Sequence, residues 1–313
     1  MRILHIENPA GVAFRLSRGQ REIGLQADVL ETWKLPYDYG HDLENYYQGG
    51  PRDLLRLFKT IRIGREYDIV HLHTGLPLKR LDVVTLRAIF RKPLVVHYHG
   101  SETRMGYGMH YQSLVGLKLV ATPDLLDYHE GAVYVPNVMD VMEMAPVPTG
   151  KFHIVHVPTN RGIKGTALLE RTLDGLRGKY DFELEIFEGA PHTEALEALK
   201  RAHLVVDEVG DPNVTGVKGR LNVLALEAMM LGRPVITNLE PELLGYYPAC
   251  PVMNVSSMGP SLQDRLVEAL EGQASLGRVG SAGREYVLRN HEPKAVATKV
   301  LELYKTHLRI RLS

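Results

Sequence analysis

An α/β fold of two Rossmann-like domains facing across a cleft is what this sequence predicts, on three observations. Its 313 residues are too many for one average core and too few for three, so two domains of about 150 residues fit best. Short apolar runs alternate with helix-length segments along most of the chain, the mark of a parallel sheet covered by helices. The opening MRILHIENPAG is echoed near the middle by KFHIVHVPTNRGIKG, each a strand of pattern I-x-H-[IV] running into a turn with proline and glycine. Ligands of such sheets bind outside the carboxyl ends of the strands, so two facing halves would trap a ligand between them.

In the first half, strands are expected at Arg2–Glu7, Ala27–Glu31, Asp68–Leu72, Leu94–His97, Lys118–Ala121 and Val133–Val135, with helices near 12–24, 51–65 and 79–90. Gly19 interrupts the first helical pattern. Val141–Gly150, with two prolines, a glycine and no usable period, reads as a linker. Beyond it, strands are expected near 152–157, 183–187, 203–207, 234–237 and 251–255, and helices near 165–177, 192–201, 220–231, 260–271 and 275–289. Gly232 suits the end of one helix, with Pro234 leading into the next strand. Pro293–Leu308 opens on a proline and forms the last helix. The expected domains are 1–145 and 146–290, each Rossmann-like, with a C-terminal helix, 291–313, packing back toward the first.

Hydrophobic residues at 44% and charged residues at 24% exclude disorder, collagen-like repeats and coiled coil for the whole chain. Lys plus Arg and Asp plus Glu both number 37, so no global charge points to nucleic acid. The single cysteine, Cys250, cannot form an intramolecular disulfide or a cysteine metal cluster. With no signal-like start and no run of about 20 apolar residues, a soluble cytoplasmic protein is expected.

The most informative stretch is PTNRGIKGT at 158–166, which runs from a strand into a helix. A helix amino terminus carries about half a positive charge and free amides, and Arg161 and Lys164 add two cations, a combination suited to a diphosphate. A solvated basic turn reads equally well, and neither a Walker A loop nor G-x-G-x-x-G occurs. The helix within 221–236 has apolar residues on every side and Glu227 in its middle. A buried carboxylate needs a partner, either a structural cation or the hydroxyls of a ligand.

Taken in order, NPAG at 8–11, DIVHLHTG at 68–75, VVHYHGSETR at 95–104, VPNVMD at 135–140, PTNRGIKGT at 158–166 and ALEAMMLGRPVI at 225–236 resemble a GT-B glycosyltransferase, most similar to family 4. The resemblance covers nearly the whole chain and implies a retaining, sugar-nucleotide-dependent, metal-independent hexosyltransferase acting on a glycan or lipid-linked acceptor. It makes 1–145 the acceptor domain and 146–290 the donor-nucleotide domain, with Arg161 and Lys164 the clamp on the donor diphosphate. Glu227 becomes the ribose-binding second glutamate of a paired motif, and Gly11 the glycine where backbone approaches donor phosphate and acceptor. It places His99 against the transferred sugar, and Asn222, Val223 and Leu224 where backbone amides meet sugar and phosphate. Asn137, in the VPNVMD turn, is also assigned to donor binding. The first motif glutamate is replaced by Gly219; Asp207 and Glu208, with Asp211 as a weaker candidate, are the carboxylates that can stand in for it.

The pairs His71/His73 and His97/His99 each share a strand face and could offer two metal ligands. With no carboxylate and cysteine set nearby and no D-x-D motif, no metal is expected, and no other cofactor. Ser101 lacks a nucleophile elbow. Acceptor residues remain unassigned within the Tyr- and Gly-rich loops Tyr37–Gly50 and Met105–Ser113. Two other readings fit the same architecture: a nucleotide-sugar epimerase, or a catalytically silent subunit supporting a partner glycosyltransferase.

Residues 52–104 hold 11 Lys/Arg against 5 Asp/Glu. Their first helix mixes Arg52, Arg56, Lys59, Arg62 and Arg65 with Leu54, Leu55, Leu57, Phe58 and Ile61. Such a helix can be a solvated face or a peripheral contact with an anionic membrane, at the inner face of the membrane for a cytoplasmic protein. The carboxyl end, from Lys305, is a weaker candidate of the same kind.

Overall fold

The computed structural model describes residues 1–34, 39–73, 80–100, 112–215 and 219–308. Two compact units emerge, Met1–Asp140 together with His291–Ser313, and Val141–Asn290.

The first unit contains β1 (Arg2–Ile6), α1 (Val12–Glu22), β2 (Gln26–Glu31), β3 (Leu43–Glu44), α2 (Asp53–Arg65), β4 (Ile69–Leu72), α3 (Leu81–Ala88), β5 (Leu94–Tyr98), β6 (Leu117–Val120) and β7 (Val133–Tyr134). These strands form one parallel sheet in the order β3-β2-β1-β4-β5-β6-β7. The order reverses between β1 and β4, where His5 lies in register with His71, and such a reversal opens a crevice at the carboxyl ends of the strands. One apolar layer, with Leu4, Val70 and Val96, covers one face; a second, with Ile3, Leu16, Ile69 and Val95, covers the other.

The second unit contains β8 (Phe152–His156), α4 (Arg161–Lys164), α5 (Thr166–Asp174), β9 (Phe182–Ile186), α6 (His192–Arg201), β10 (Leu204–Val206), α7 (Pro212–Thr215), α8 (Val223–Met230), β11 (Val235–Asn238), β12 (Met253–Val255), α9 (Leu262–Glu271) and α10 (Gln273–His291). Its parallel sheet runs β12-β11-β10-β8-β9, with the reversal at β8 and β10. Two caps follow from sequence: Asn222 accepts from Ala225 N at the start of α8, and Ser261 with Asp264 forms a capping box on α9. Ala225–Met230 are buried without a break, as the all-round apolar pattern of α8 requires.

The chain then returns to the first unit as α11 (Pro293–Leu308). Val296, Ala297, Val300 and Tyr304 complete the apolar layer over Ile3 and Leu16. Gly19 is the reason α11 can cross α1 closely: a Cβ there would lie 2.2 Å from the Pro293 carbonyl oxygen. The glycine that spoils the helical pattern in sequence thus serves packing between helices.

Several features depart from the sequence expectations, among them the short helix α7, which no expected helix covers. The two-residue strand β3 has no period to betray it. The helix expected from 165 is preceded by a separate turn, α4, because Gly165 takes φ +73° and a Cβ there would meet Gly210 N at 2.5 Å. The linker 141–150 has no regular structure yet is pinned, with Ala145 N donating to Leu231 O at 3.1 Å. The two units divide at Asp140 and Val141, five residues before the expected break. Asp140 itself is held by Arg15 at 2.7 Å and Arg18 at 2.9 Å.

Gly19→Ala is expected to destabilise the protein by about 1–3 kcal/mol, the usual cost of forcing extra atoms into a packed contact. A guanidinium midpoint equal to that of the unaltered chain would contradict this account of the crossing.

Candidate functional site

In the first unit the turn after β1 departs from ordinary backbone. Glu7 has φ +69°, Ala10 +51° and Gly11 +74°, and Gly11 heads α1. Only glycine holds such a conformation without strain, and at Gly11 an added Cβ would also sit 3.2 Å from both Arg15 and Tyr39. Asn8 fastens the turn, accepting from Phe14 N at 3.1 Å and donating to Gly40 O at 2.8 Å. Behind it Glu7 is buried and receives hydrogen bonds from Thr32 and, at 3.0 Å, from the fully buried Arg80, which also donates to Asp82 at 2.9 Å. Burial raises the Glu7 pKa against the pull of Arg80.

Beside this turn the carboxyl ends of β1, β4 and β5 gather five histidines, His5, His71, His73, His97 and His99. Burial lowers all their pKa values, His5 to about 4, His99 to about 3, and His71, His73 and His97 well down, so these rings are neutral at pH 7. Neutral rings make one hydrogen-bond chain directional. His5 Nε2 donates to Gln20 Oε1 at 2.7 Å, so its Nδ1 accepts from His73 Nε2 at 2.9 Å, and His73 Nδ1 accepts from His99 Nε2 at 3.1 Å. The core thereby sets the tautomer of His99, whose Nδ1 becomes the acceptor. His71 Nδ1 meets the Tyr304 hydroxyl at 2.5 Å, which ties the cluster to α11.

Two triplets, His5/His71/His73 and His73/His97/His99, bring ligand atoms within 4.8 Å of one another. They are the residues whose chemistry could hold a nitrogen-ligated ion. Asn137 is buried, and its carbonyl accepts from His291 Nδ1 at 2.8 Å. Ser101, residues 105–111 of the second expected acceptor loop and Tyr37 of the first lie outside the described residues.

In the second unit four of the predicted residues, Lys164, Asp207, Glu208 and Asn222, converge on the β8/β10 reversal. Lys164, 7% exposed, donates to Asp207 at 2.8 Å and lies 3.3 Å from Glu208. Asp207 also accepts from the Asn222 amide, and Arg220 lies 3.6 Å from Glu208. One buried ammonium thus joins the turn after β8, the end of β10 and the start of α8. Asn222, Val223 and Leu224 are half-buried at that helix start, where the first amides precede the intrahelical ladder. Arg161 points elsewhere, pairing with Glu170 at 2.8 Å and Glu188 at 3.6 Å on a half-exposed surface. Glu227, 3% exposed, accepts from His192 Nε2 at 2.7 Å. Asp211 is exposed just before α7.

Gly219 has a structural reason. It has φ +78°, bridges to Leu239, and a Cβ would fall 2.2 Å from Asn238 O, so a glutamate side chain has no room there. Arg220 and His192 were not foreseen. Arg220 is an ordinary polar residue at an expected helix start, and the His192 pairing joins residues 35 apart in sequence with no shared motif. Cys250 is held inert, its thiol pushed up to about 12 by burial.

No family model matches the chain, and no curated protein matches it. Among solved structures it is similar to Anabaena HepE, crystallised in complex with UDP, at 13% identity over 98% of this chain and 100% of that one, with a TM-score of 0.66. A UDP-forming trehalose-phosphate synthase from Burkholderia xenovorans shares 10% identity over 98% of this chain and 100% of its own, with a TM-score of 0.59. TarM shares 12% identity over 80% of this chain and 58% of its own, with a TM-score of 0.57. These likenesses establish the fold, α/β with two Rossmann-like domains of the GT-B type.

The histidine cluster makes stability depend on pH in a definite direction. An unfolded histidine takes up its proton near pH 6.5, whereas folded His5 does so near 4, so the unfolded state binds more protons between those values. Stability is therefore full above about pH 6.5 and falls as pH drops; the share from His5 is complete near pH 4, while His99, His71, His73 and His97 carry the fall lower. His5 alone contributes about 3 kcal/mol of that fall. Thermal melts from pH 8 to 4 check this, and His5→Gln should flatten the slope.

Proposed function

We propose that this chain is a retaining glycosyltransferase that moves a sugar from a nucleotide-sugar donor to a hydroxyl of a glycan or lipid-linked acceptor, without a metal. The observation that carries the reading is the Lys164 centre, where a held ammonium, the first amides of α8 and the Arg220 guanidinium meet at the strand reversal of the second unit. Support comes also from the fold shared with HepE and the UDP-forming synthase.

Negative charge builds on the departing diphosphate as the glycosidic bond breaks, so fixed donors stabilise the transition state more than the ground state. Two of the three N–H groups of Lys164 face Asp207 and Glu208, and the third is assigned to a phosphate oxygen. Asp207 and Glu208 hold that ammonium in place and replace the carboxylate that Gly219 cannot supply. Arg161 is the second cation, reached when phosphate competes with Glu170 and Glu188. Glu227 receives the ribose hydroxyls, with His192 fixing its carboxylate. In the first unit, Gly11 and Asn137 are assigned to donor binding, Gly11 by letting backbone approach, and His99 to the transferred sugar, accepting a hydrogen bond through Nδ1. Attack from the leaving-group face, with the departing phosphate helping to take the acceptor proton, gives retention and needs no protein base.

Arg161→Ala and Lys164→Ala are each expected to lower transfer by about 10²–10³, the scale of losing one such donor. Unchanged turnover in both would sink the mechanism. A thermal-shift screen of nucleoside diphosphates should find one that stabilises by about 2.7 kcal/mol at 100 times its dissociation constant. Absence of any response would favour a silent subunit, and conversion of a nucleotide sugar without acceptor an epimerase.

A further inference from the structure

We propose that the exposed face of α2 docks on an anionic lipid bilayer. Helices of soluble domains turn their apolar side chains inward, and α2 does so only in part. Leu57 is buried, but Leu54 is 57% exposed, Leu55 70% and Phe58 60%. At 100° per residue these three fall within one arc, and Lys59, Arg62 and Arg65 fall in or beside it. All three cations are exposed.

The acidic residue of this helix is withdrawn from that face. Asp53 is buried, and its carboxylate accepts from Gln48 N at 3.1 Å, Gly49 N at 2.9 Å and Arg56 at 2.8 Å. What α2 shows to its surroundings is therefore apolar side chains interleaved with cations, which outnumber the one exposed acid at its end, the C-cap Glu66. The surface continues at its carboxyl end: the Arg65 guanidinium lies 4.6 Å over the Phe90 ring, next to Ile89, which is 69% exposed, and to the exposed Arg91.

Charge complementarity selects the occupant. Leucine and phenylalanine suit the boundary between acyl chains and headgroups, while lysine and arginine meet lipid phosphates. A second copy of the same face would set cation against cation. Thirteen residues make a helix about 20 Å long, too short to cross a bilayer and suited to lying along its surface. No described helix is long and apolar enough to cross a membrane. The proposal rests on α2 and its neighbours alone, so it stands or falls independently of sugar transfer.

The test is co-sedimentation of the full chain with phosphatidylcholine vesicles, with and without phosphatidylglycerol. Binding is expected only to the anionic vesicles and should weaken with salt. Lys59→Ala and Arg62→Ala should each weaken it about fivefold, the scale of one juxtamembrane cation. The double variant Leu55→Glu, Phe58→Glu should abolish it while leaving the thermal melt unchanged, since both side chains already face outward. No sedimentation with anionic vesicles, or equal binding to neutral ones, overturns the proposal. A dimer that the double variant dissociates, in a protein that ignores vesicles, overturns it too and gives the face to a second copy.

Discussion

A charged amine can be kept out of water only where carboxylates meet it, and the second unit is organised around that constraint at Lys164. Its ammonium contacts Asp207 and Glu208, and through them Asn222 and Arg220 are drawn to the same point. Three segments distant in sequence, the turn after β8, the end of β10 and the start of α8, are held together by this one centre. The two carboxylates neutralise the two nearest cations, Lys164 and Arg220, so the centre is electrically balanced.

The first unit solves the opposite problem, keeping titratable groups uncharged. Five imidazoles are stacked against one another at the strand ends, and hydrogen bonds that begin at Gln20 pass through His5 and His73 to His99. A ring that would be ambiguous on its own thereby has an assigned proton. Gln20 of α1, which accepts from His5, and the Tyr304 hydroxyl of α11, which meets His71, reach the cluster from the helix layer, so the helices do more than cover apolar surface.

The alternation of short apolar runs with helical stretches marked most strands and helices, because a parallel sheet buried on both faces leaves no other pattern. β3 escaped because two residues carry no periodicity. Lys164 and Glu227 were legible from the residues themselves, a cation in a strand-to-helix turn and a carboxylate inside an apolar helix, whereas Asp207 and Asn222 were candidates only through the resemblance. Their partners were not: the pairing of Glu227 with His192 and of Glu208 with Arg220 depends on how α6 and the strand before α8 fold back. Gly19 and Gly219 look like interruptions or losses in one dimension. In three they are places where another backbone passes too close for a Cβ.

The return of α11 has a consequence for the order in which the protein can be made. The second unit ends at Asn290 and is complete once that residue has been synthesised, whereas the first still lacks the helix that supplies Val296, Val300 and Tyr304. Its opening strands must wait, with one apolar face uncovered, while 150 residues of another unit are built. Met139 N donates to His291 O at 2.8 Å, so the interrupting unit delivers the chain back close to where it left. The unit begun first is therefore the last to close, and between Asp140 and Pro293 its uncovered apolar face is the kind of surface through which growing chains aggregate.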